Sequence, residues 1–181
     1  MIRRIITGHK DGKAVFLADG PLPRHHIFEH TPGMEIAFGW SAPAVPRIAD
    51  GVGAEPVTDQ TTVIPPAGES RLIFLKVPPQ SWAQTPDFDP VAAGTEIFAA
   101  IPDIAATFEA DGAMHTTDSV DYVIVLEGEV HLELDDQQEV VLGVHDVVVQ
   151  VGTRHAWRNT SDKPALLAVV LIGAGRDGGD S

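Results

Sequence analysis

The sequence predicts an all-β barrel, and three observations carry that expectation. Apolar segments of roughly four to eight residues alternate with turn-forming residues every eight to twelve positions or so, most regularly after Met114. Fourteen prolines and 17 glycines punctuate 181 residues, while long helical periodicity is scarce. Several segments are apolar on both faces, among them VIVL, DVVVQV and LLAVVLI. A strand with two dry faces must be covered twice, once by the barrel interior and once by a second layer, the N-terminal arm or a partner subunit.

A chain of this length is served by a single core. Its apolar fraction of 44% with 21% charged residues is ordinary for a globular protein. No cysteine is present, which removes disulfides, thiolate metal ligands and Cys nucleophiles together. The net charge of −14 argues against nucleic acid and anionic membrane surfaces, since phosphate binding needs a basic face and no Lys/Arg cluster occurs. MIRRII is followed by Thr7, Gly8, His9, Lys10 and Asp11, which is not the apolar core of a signal peptide. No apolar run reaches the roughly 18 residues needed to span a bilayer. The expectation is a soluble, cytoplasmic protein.

Residues 1–60 read as an N-terminal extension whose strands, Ala14–Ala18 and Glu35–Trp40, pack on the barrel or on a dimer partner. His25, His26 and His30 cluster there without metal-ligand spacing and read as surface or hairpin-packing residues. Ala42–Val57 is rich in Pro, Gly and Ala and reads as a surface loop. The barrel is expected over 61–173, opening with a strand at Arg71–Val77. A helical insertion over about 89–109 interrupts it: Asp89 is a fair N-cap, Pro90 suits the first helical position, and Val91, Ile97, Phe98, Ile101, Ile104 and Phe108 supply an apolar face for the core. Strands then follow at Val120–Leu126, Val130–Leu134, Glu139–Leu142, Val147–Gln150, His155–Asn159 and Ala165–Ile172. The Gly/Asp-rich tail, 174–181, should fray.

The residue types that suggest chemistry lie in Met114–Glu129, MHTTDSVDYVIVLEGE, and in Asp146–Asn159, DVVVQVGTRHAWRN. Residues two apart in a strand share a face. His115, Thr117, Ser119 and Asp121 therefore fall on one side of the first segment, with Tyr122 on the other, and His155 and Trp157 share a side of the second. If both strands line one barrel, His115, Asp121 and His155 converge near its mouth. Two imidazoles and a carboxylate are a minimal facial set for a divalent metal such as Fe, Mn or Zn, with open positions for substrate. They serve equally as a metal-free hydrogen-bonded cluster with a histidine base. Thr117, Gln150 and Trp157 are the expected substrate-pocket residues, Trp157 as an apolar wall. His131 and His145 are expected to be exposed, and Arg154 and Arg158 to face outward.

These segments resemble the motifs of the cupin superfamily. His115, Thr117, Asp121 and Gly128 stand at the spacings of its first motif, with Thr for the second His and Asp for the Glu. Gly143, Gln150, Gly152, His155 and Asn159 stand at those of its second, with Gln for Pro. The resemblance is to small, single-domain jelly-roll cupins of the cupin_2 conserved-barrel type. It implies an all-β double-stranded β-helix with an N-terminal strand extension and a short helical insertion, commonly a homodimer. The metal it implies is Fe, Mn, Zn or Ni at His115, Asp121 and His155, the same three residues being the catalytic candidates. The function expected is a small-molecule cupin acting on an oxygenated organic substrate as a metal-dependent oxygenase, decarboxylase or isomerase. A non-catalytic small-molecule-binding cupin and a metal-independent isomerase or cyclase are the alternatives.

Overall fold

The structure is a computed structural model and describes residues 2–48, 51, 53–110 and 112–176. Its elements are β1 (Arg3–Lys10), β2 (Lys13–Pro21), β3 (Arg24–Ile27), β4 (Glu35–Ala42), β5 (Ser70–Val77), α1 (Pro90–Ala100), α2 (Pro102–Ala105), β6 (Ser119–Glu127), β7 (Val130–Glu133), β8 (Glu139–Leu142), β9 (Val147–Val151), β10 (Ala156–Arg158) and β11 (Ala165–Gly173). A short 3-10 turn covers Gln80–Gln84. Strands β1 and β3 were not legible as strands in the sequence. RRIITGHK and RHHI carry too few apolar residues to announce a buried face, and pairing with β2 and β4 makes them strands.

Six strands form one antiparallel sheet in the order β3-β4-β5-β11-β6-β9, and three form a second in the order β10-β7-β8, while β1 and β2 form a separate hairpin. Strands β3 and β4 thus belong to the large sheet although they lie in the first 60 residues. The core sits where the inner faces meet, around Phe38, Ile73, Val123, Val125, Val130, Leu132, Leu167 and Val169, all buried. The alternation expected in β6 holds: Ser119, Asp121, Val123 and Val125 are buried, while Tyr122 is exposed. On β9 the alternation leaves Val147, Val149 and Val151 exposed.

The insertion is pinned to the barrel rather than laid loosely across it. Asp89 caps α1 by accepting from the Val91 and Ala92 N–H groups at 2.9 and 3.1 Å. Glu96 on α1 accepts from the backbone N–H groups of Glu29 and His30 at 2.8 and 2.7 Å. Asp103 on α2 accepts from the Ile64 N–H at 2.8 Å. Arg24 of β3 donates to the Ala100 carbonyl at 2.7 Å and stacks over Phe38 at 4.2 Å. Charge-assisted hydrogen bonds of this kind, shielded on several sides, fix the approach of a short helix that could not persist alone.

The tail is tied down as far as Arg176, which donates to Asp118 and to the Thr117 and Gly152 carbonyls, the latter two at 3.1 Å. Residues 177–181 lie outside the described residues. Arg154, expected to face outward, is exposed but engaged within its own chain, with Glu109 at 2.6 and 2.7 Å and Asp135 at 2.8 Å. His131 is less exposed than expected, because its ring is held between Glu139 at 2.6 Å and Thr160 at 2.9 Å.

The β6–β7 turn depends on a glycine for two reasons at once. Gly128 has φ +74°, and a Cβ there would stand 2.6 Å from the Pro164 carbonyl oxygen and 2.9 Å from the Ala165 Cα. Gly12, in the β1–β2 turn, has the same φ of +74° but open space around it. Gly12→Ala should therefore cost only the left-handed backbone penalty, about 1–2 kcal/mol. Gly128→Ala should cost a further 1–3 kcal/mol or so from the forced backbone shift. Urea unfolding of both variants measures the difference, and equal losses would contradict the close-approach account.

Candidate functional site

His115 lies on the approach to β6 and His155 on the approach to β10. The two residues bond to each other through their backbones, each N–H reaching the other's carbonyl at 2.9 Å. Directly opposed residues of an antiparallel pair project to one face. The imidazoles consequently meet, with centroids 4.2 Å apart and planes inclined by 49°. His115 is 9% exposed and His155 3%.

The ring nitrogens have defined roles. His115 Nδ1 donates to the Ala113 carbonyl at 3.0 Å, and His155 Nδ1 donates to the Thr153 carbonyl at 2.9 Å. A carbonyl oxygen can only accept, so each hydrogen sits on Nδ1 and each neutral ring keeps its lone pair on Nε2. Burial lowers the pKa of both rings. For His155 it is lowered to about 4, with the adjacent His115 adding to the effect and the Thr153 carbonyl opposing it. Both imidazoles are therefore neutral at pH 7.

Asp121 lines the same cavity from β6. It is 5% exposed, and its Oδ1 has no hydrogen-bond partner among the described residues. Burial raises its pKa to about 6, while the Ser119 hydroxyl pulls the other way. Ser119 Oγ and Thr117 Oγ1 are hydrogen-bonded to each other at 3.0 Å. A buried carboxyl with one oxygen left unpaired is an expensive arrangement, which makes the site a functional candidate on physical grounds.

These side chains open onto a cavity of about 850 Å³. His115, Thr117, Asp121, His155 and Trp157 all line it, together with apolar residues of the six-stranded sheet such as Ile36, Ile73, Leu75 and Leu171. Phe108 meets the His115 ring edge-on at 5.0 Å, and Trp157 meets His155 edge-on at 5.8 Å. Gln150 is the expected pocket residue that does not line this cavity. Its amide is turned into the loop before His155, donating to the Thr153 hydroxyl and, at 3.3 Å, to the Thr153 carbonyl. Arg158, expected to face outward, contributes to the wall and pairs with Glu133. Strand β10 is only three residues long, so strict alternation does not govern it.

The insertion adds Ala93, Ile97, Ile101, Ile104 and Phe108 to the wall, and the segment before it adds Trp82 and Phe88. Sequence reasoning assigned several of these to core packing. An apolar face turned toward a cavity and one turned toward a filled core carry the same periodicity, so no signal separates them. Two residues of that expected face, Val91 and Phe98, are exposed instead, at 75% and 58%.

The divalent metal expected at His115, Asp121 and His155 meets this geometry only in part. Free Nε2 lone pairs are what a metal ligand requires. However, among the described residues no three His, Cys, Asp or Glu side chains come together as a set that would hold an ion. Thr117, where a second imidazole would stand in the first motif, adds only a weak neutral oxygen. The residues as placed do not fit a three-ligand centre.

Residues 107–171 match the family model described as the cupin domain. That stretch, about a third of the chain, is similar to a cupin domain. The chain's all-β architecture is the cupin double-stranded β-helix with a small helical insertion. Over 51 residues, 28% of this chain and 27% of the relative, it is 49% identical to phomopsin biosynthesis cluster protein C' of Diaporthe leptostromiformis, and the same figures hold for protein D of that cluster. It is 45% identical over 47 residues, 26% of each chain, to oryzines biosynthesis cluster protein J of Aspergillus oryzae. The matched stretch thus spans about a quarter of the length of these curated relatives. Similar solved structures include the cupin_2 domain of an XRE family transcriptional regulator from Enterobacter cloacae, at 14% identity and a TM-score of 0.36, covering 59% of this chain and 83% of that one. Another is an RmlC-like cupin from Methanocaldococcus jannaschii, at 13% identity and a TM-score of 0.38, covering 57% and 70%. Among the described residues, no helix of this chain is long and apolar enough to cross a membrane.

The two buried titrations have opposite linkage. The pKa of Asp121 is raised from 3.8 to about 6 on folding, so its contribution to stability is fully present below about pH 4 and is lost as pH rises through 6. That of His155 is lowered from 6.5 to about 4, so its contribution is present above pH 6.5 and is lost as pH falls through 4. Asp121→Asn abolishes the first and retains the second. Relative to wild type, the variant should gain stability between pH 4 and pH 7, on the order of 3 kcal/mol, and show no further gain above pH 7. Denaturant unfolding of both proteins across that range checks it, and a pH-independent difference would contradict the buried-carboxyl assignment.

Proposed function

We propose that this cupin domain is a small-molecule site in a biosynthetic pathway, its cavity holding the apolar body of an amphipathic organic compound and its His115–Asp121–His155 group meeting the polar end. The observation that carries this reading is an apolar cavity of about 850 Å³ with one buried polar pole, a size suited to a single drug-sized ligand. Similarity to proteins named for phomopsin and oryzines biosynthesis clusters supports a small-molecule role.

A catalytic reading is favoured by one further observation. The pKa of Asp121, near 6, suits proton transfer close to neutral pH, and it lines the same cavity as the two neutral imidazoles. Asp121 would take a proton from the bound compound and return it, with His115 and His155 orienting the substrate, as in an isomerisation or cyclisation that needs no metal.

A thermal-shift screen of amphipathic amines, alcohols and acids tests the binding reading. Compounds that raise the melting temperature of the wild type should lose that effect in Ile97→Trp, which adds bulk at the cavity wall, provided the variant retains its far-UV spectrum. Absence of any stabilising compound, or stabilisation that survives the substitution, would count against the cavity. For the catalytic reading, a compound that binds should take up solvent deuterium in the wild type, with at least a hundredfold loss of rate in Asp121→Asn. Unchanged exchange in that variant would remove Asp121 from the chemistry.

A further inference from the structure

We infer that the compound held in this cavity is an organic amine, its primary ammonium seated against the Asp121 carboxylate and the Nε2 atoms of His115 and His155. The inference rests on the proposal that the cavity is a small-molecule site, and it names the chemical class that the site selects.

The argument is one of donors and acceptors. Because each Nδ1 donates to a backbone carbonyl, His115 and His155 offer only lone pairs to the cavity. Asp121 Oδ1 is an acceptor as well, buried and without a partner among the described residues. The nearest hydroxyl pair, Ser119 and Thr117, spends one hydrogen on its own internal bond. The pole is therefore rich in acceptors, and it carries a negative charge whenever Asp121 is ionised.

A carboxylate or phosphate brought here would set lone pairs against lone pairs, and a buried acceptor left unpaired costs about 1–3 kcal/mol each. A hydroxyl supplies one hydrogen and leaves two acceptors unmet. A primary ammonium supplies three hydrogens and no acceptor, and it brings the charge that Asp121 lacks. It also tolerates a looser arrangement than a metal ion does, since N–H···O and N–H···N contacts close at about 2.7–3.2 Å whereas metal–nitrogen bonds close near 2.0–2.1 Å. That difference agrees with a group of acceptors that does not form a metal-holding set.

The rest of the wall is compatible with an amine. Lys76 and Arg158 line the cavity too, but each is already paired within the chain, with Glu35 at 2.8 Å and with Glu133. Neither stands as an open anchor for an anionic head.

Isothermal titration of the full chain with three isosteric probes tests the inference: 2-phenylethylamine, 2-phenylethanol and 3-phenylpropanoate, each before and after chelator treatment of the protein. The amine should bind roughly tenfold or more tightly than the alcohol, with the acid weakest, and chelation should not change that order. In Asp121→Asn the amine should lose its advantage while the alcohol still binds, which shows that the variant retains its cavity. Equal or tighter binding of the alcohol or the acid by the wild type would overturn the inference. An amine preference that vanishes on chelation would overturn it as well, by assigning the recognition to a bound metal. If the alcohol or acid binds and Ile97→Trp abolishes that binding, the cavity reading survives and the amine inference alone fails. If none of the three binds at millimolar concentration, both fail.

Discussion

The reciprocal backbone pairing of His115 and His155 is the constraint on which the site depends. Two hydrogen bonds of 2.9 Å join the approach to β6 with the approach to β10, segments some forty positions apart in sequence and belonging to different sheets. The pairing places two imidazoles side by side, their planes tilted, where neither strand alone would. It also brings the Ala113 and Thr153 carbonyls to the Nδ1 atoms, which fixes both tautomers. Burial then keeps the rings uncharged, so what reaches the cavity is a pair of lone pairs rather than a pair of cations. Asp121 joins them because β6 continues the same strand direction with a period of two.

The helical insertion gives this pole its setting. Without α1, α2 and the turn at Gln80–Gln84, the polar group would open directly to water. With them it sits at one end of an apolar chamber. Glu96, Asp103 and Arg24 hold the insertion to β3 and to the loop before β5 through side chain–backbone bonds, so the wall is a built part of the barrel. The low polarity of the chamber is also what raises the pKa of Asp121 and lowers that of His155. Packing and electrostatics here have one cause.

Much of this was legible in the sequence, for physical reasons that also mark its limits. Period-two reading put Ser119, Asp121 and Val123 together and Tyr122 on the opposite face, because β6 is long and regular. Asp89-Pro90 announced the start of α1 because capping chemistry is local. The spacing of His115, Asp121, Gly128, Gly152, His155 and Asn159 carried the fold because turns and strand lengths fix it. Local rules failed where tertiary contacts decide. Gln150 turns away from the cavity toward Thr153, and Arg158 lines the wall from a strand too short to impose alternation. Ile97, Ile101, Ile104 and Phe108 of the insertion pack on the core as expected and line the chamber as well, and hydrophobic pattern is blind to that second role. Substitution of Thr117 for a second imidazole was visible from the start. Its consequence, a group rich in acceptors with no three-ligand set, needed the geometry.

Everything drawn from this site rests on two neutral imidazoles with free Nε2 lone pairs. Long-range 15N–1H correlation spectra of the histidine side chains, recorded across pH, observe that state directly. The account predicts that His115 and His155 carry hydrogen on Nδ1 and none on Nε2 at pH 7, and that His155 stays neutral down to about pH 4. Protonated Nε2 atoms at pH 7, or a His155 titration at the ordinary value of 6.5, would contradict it.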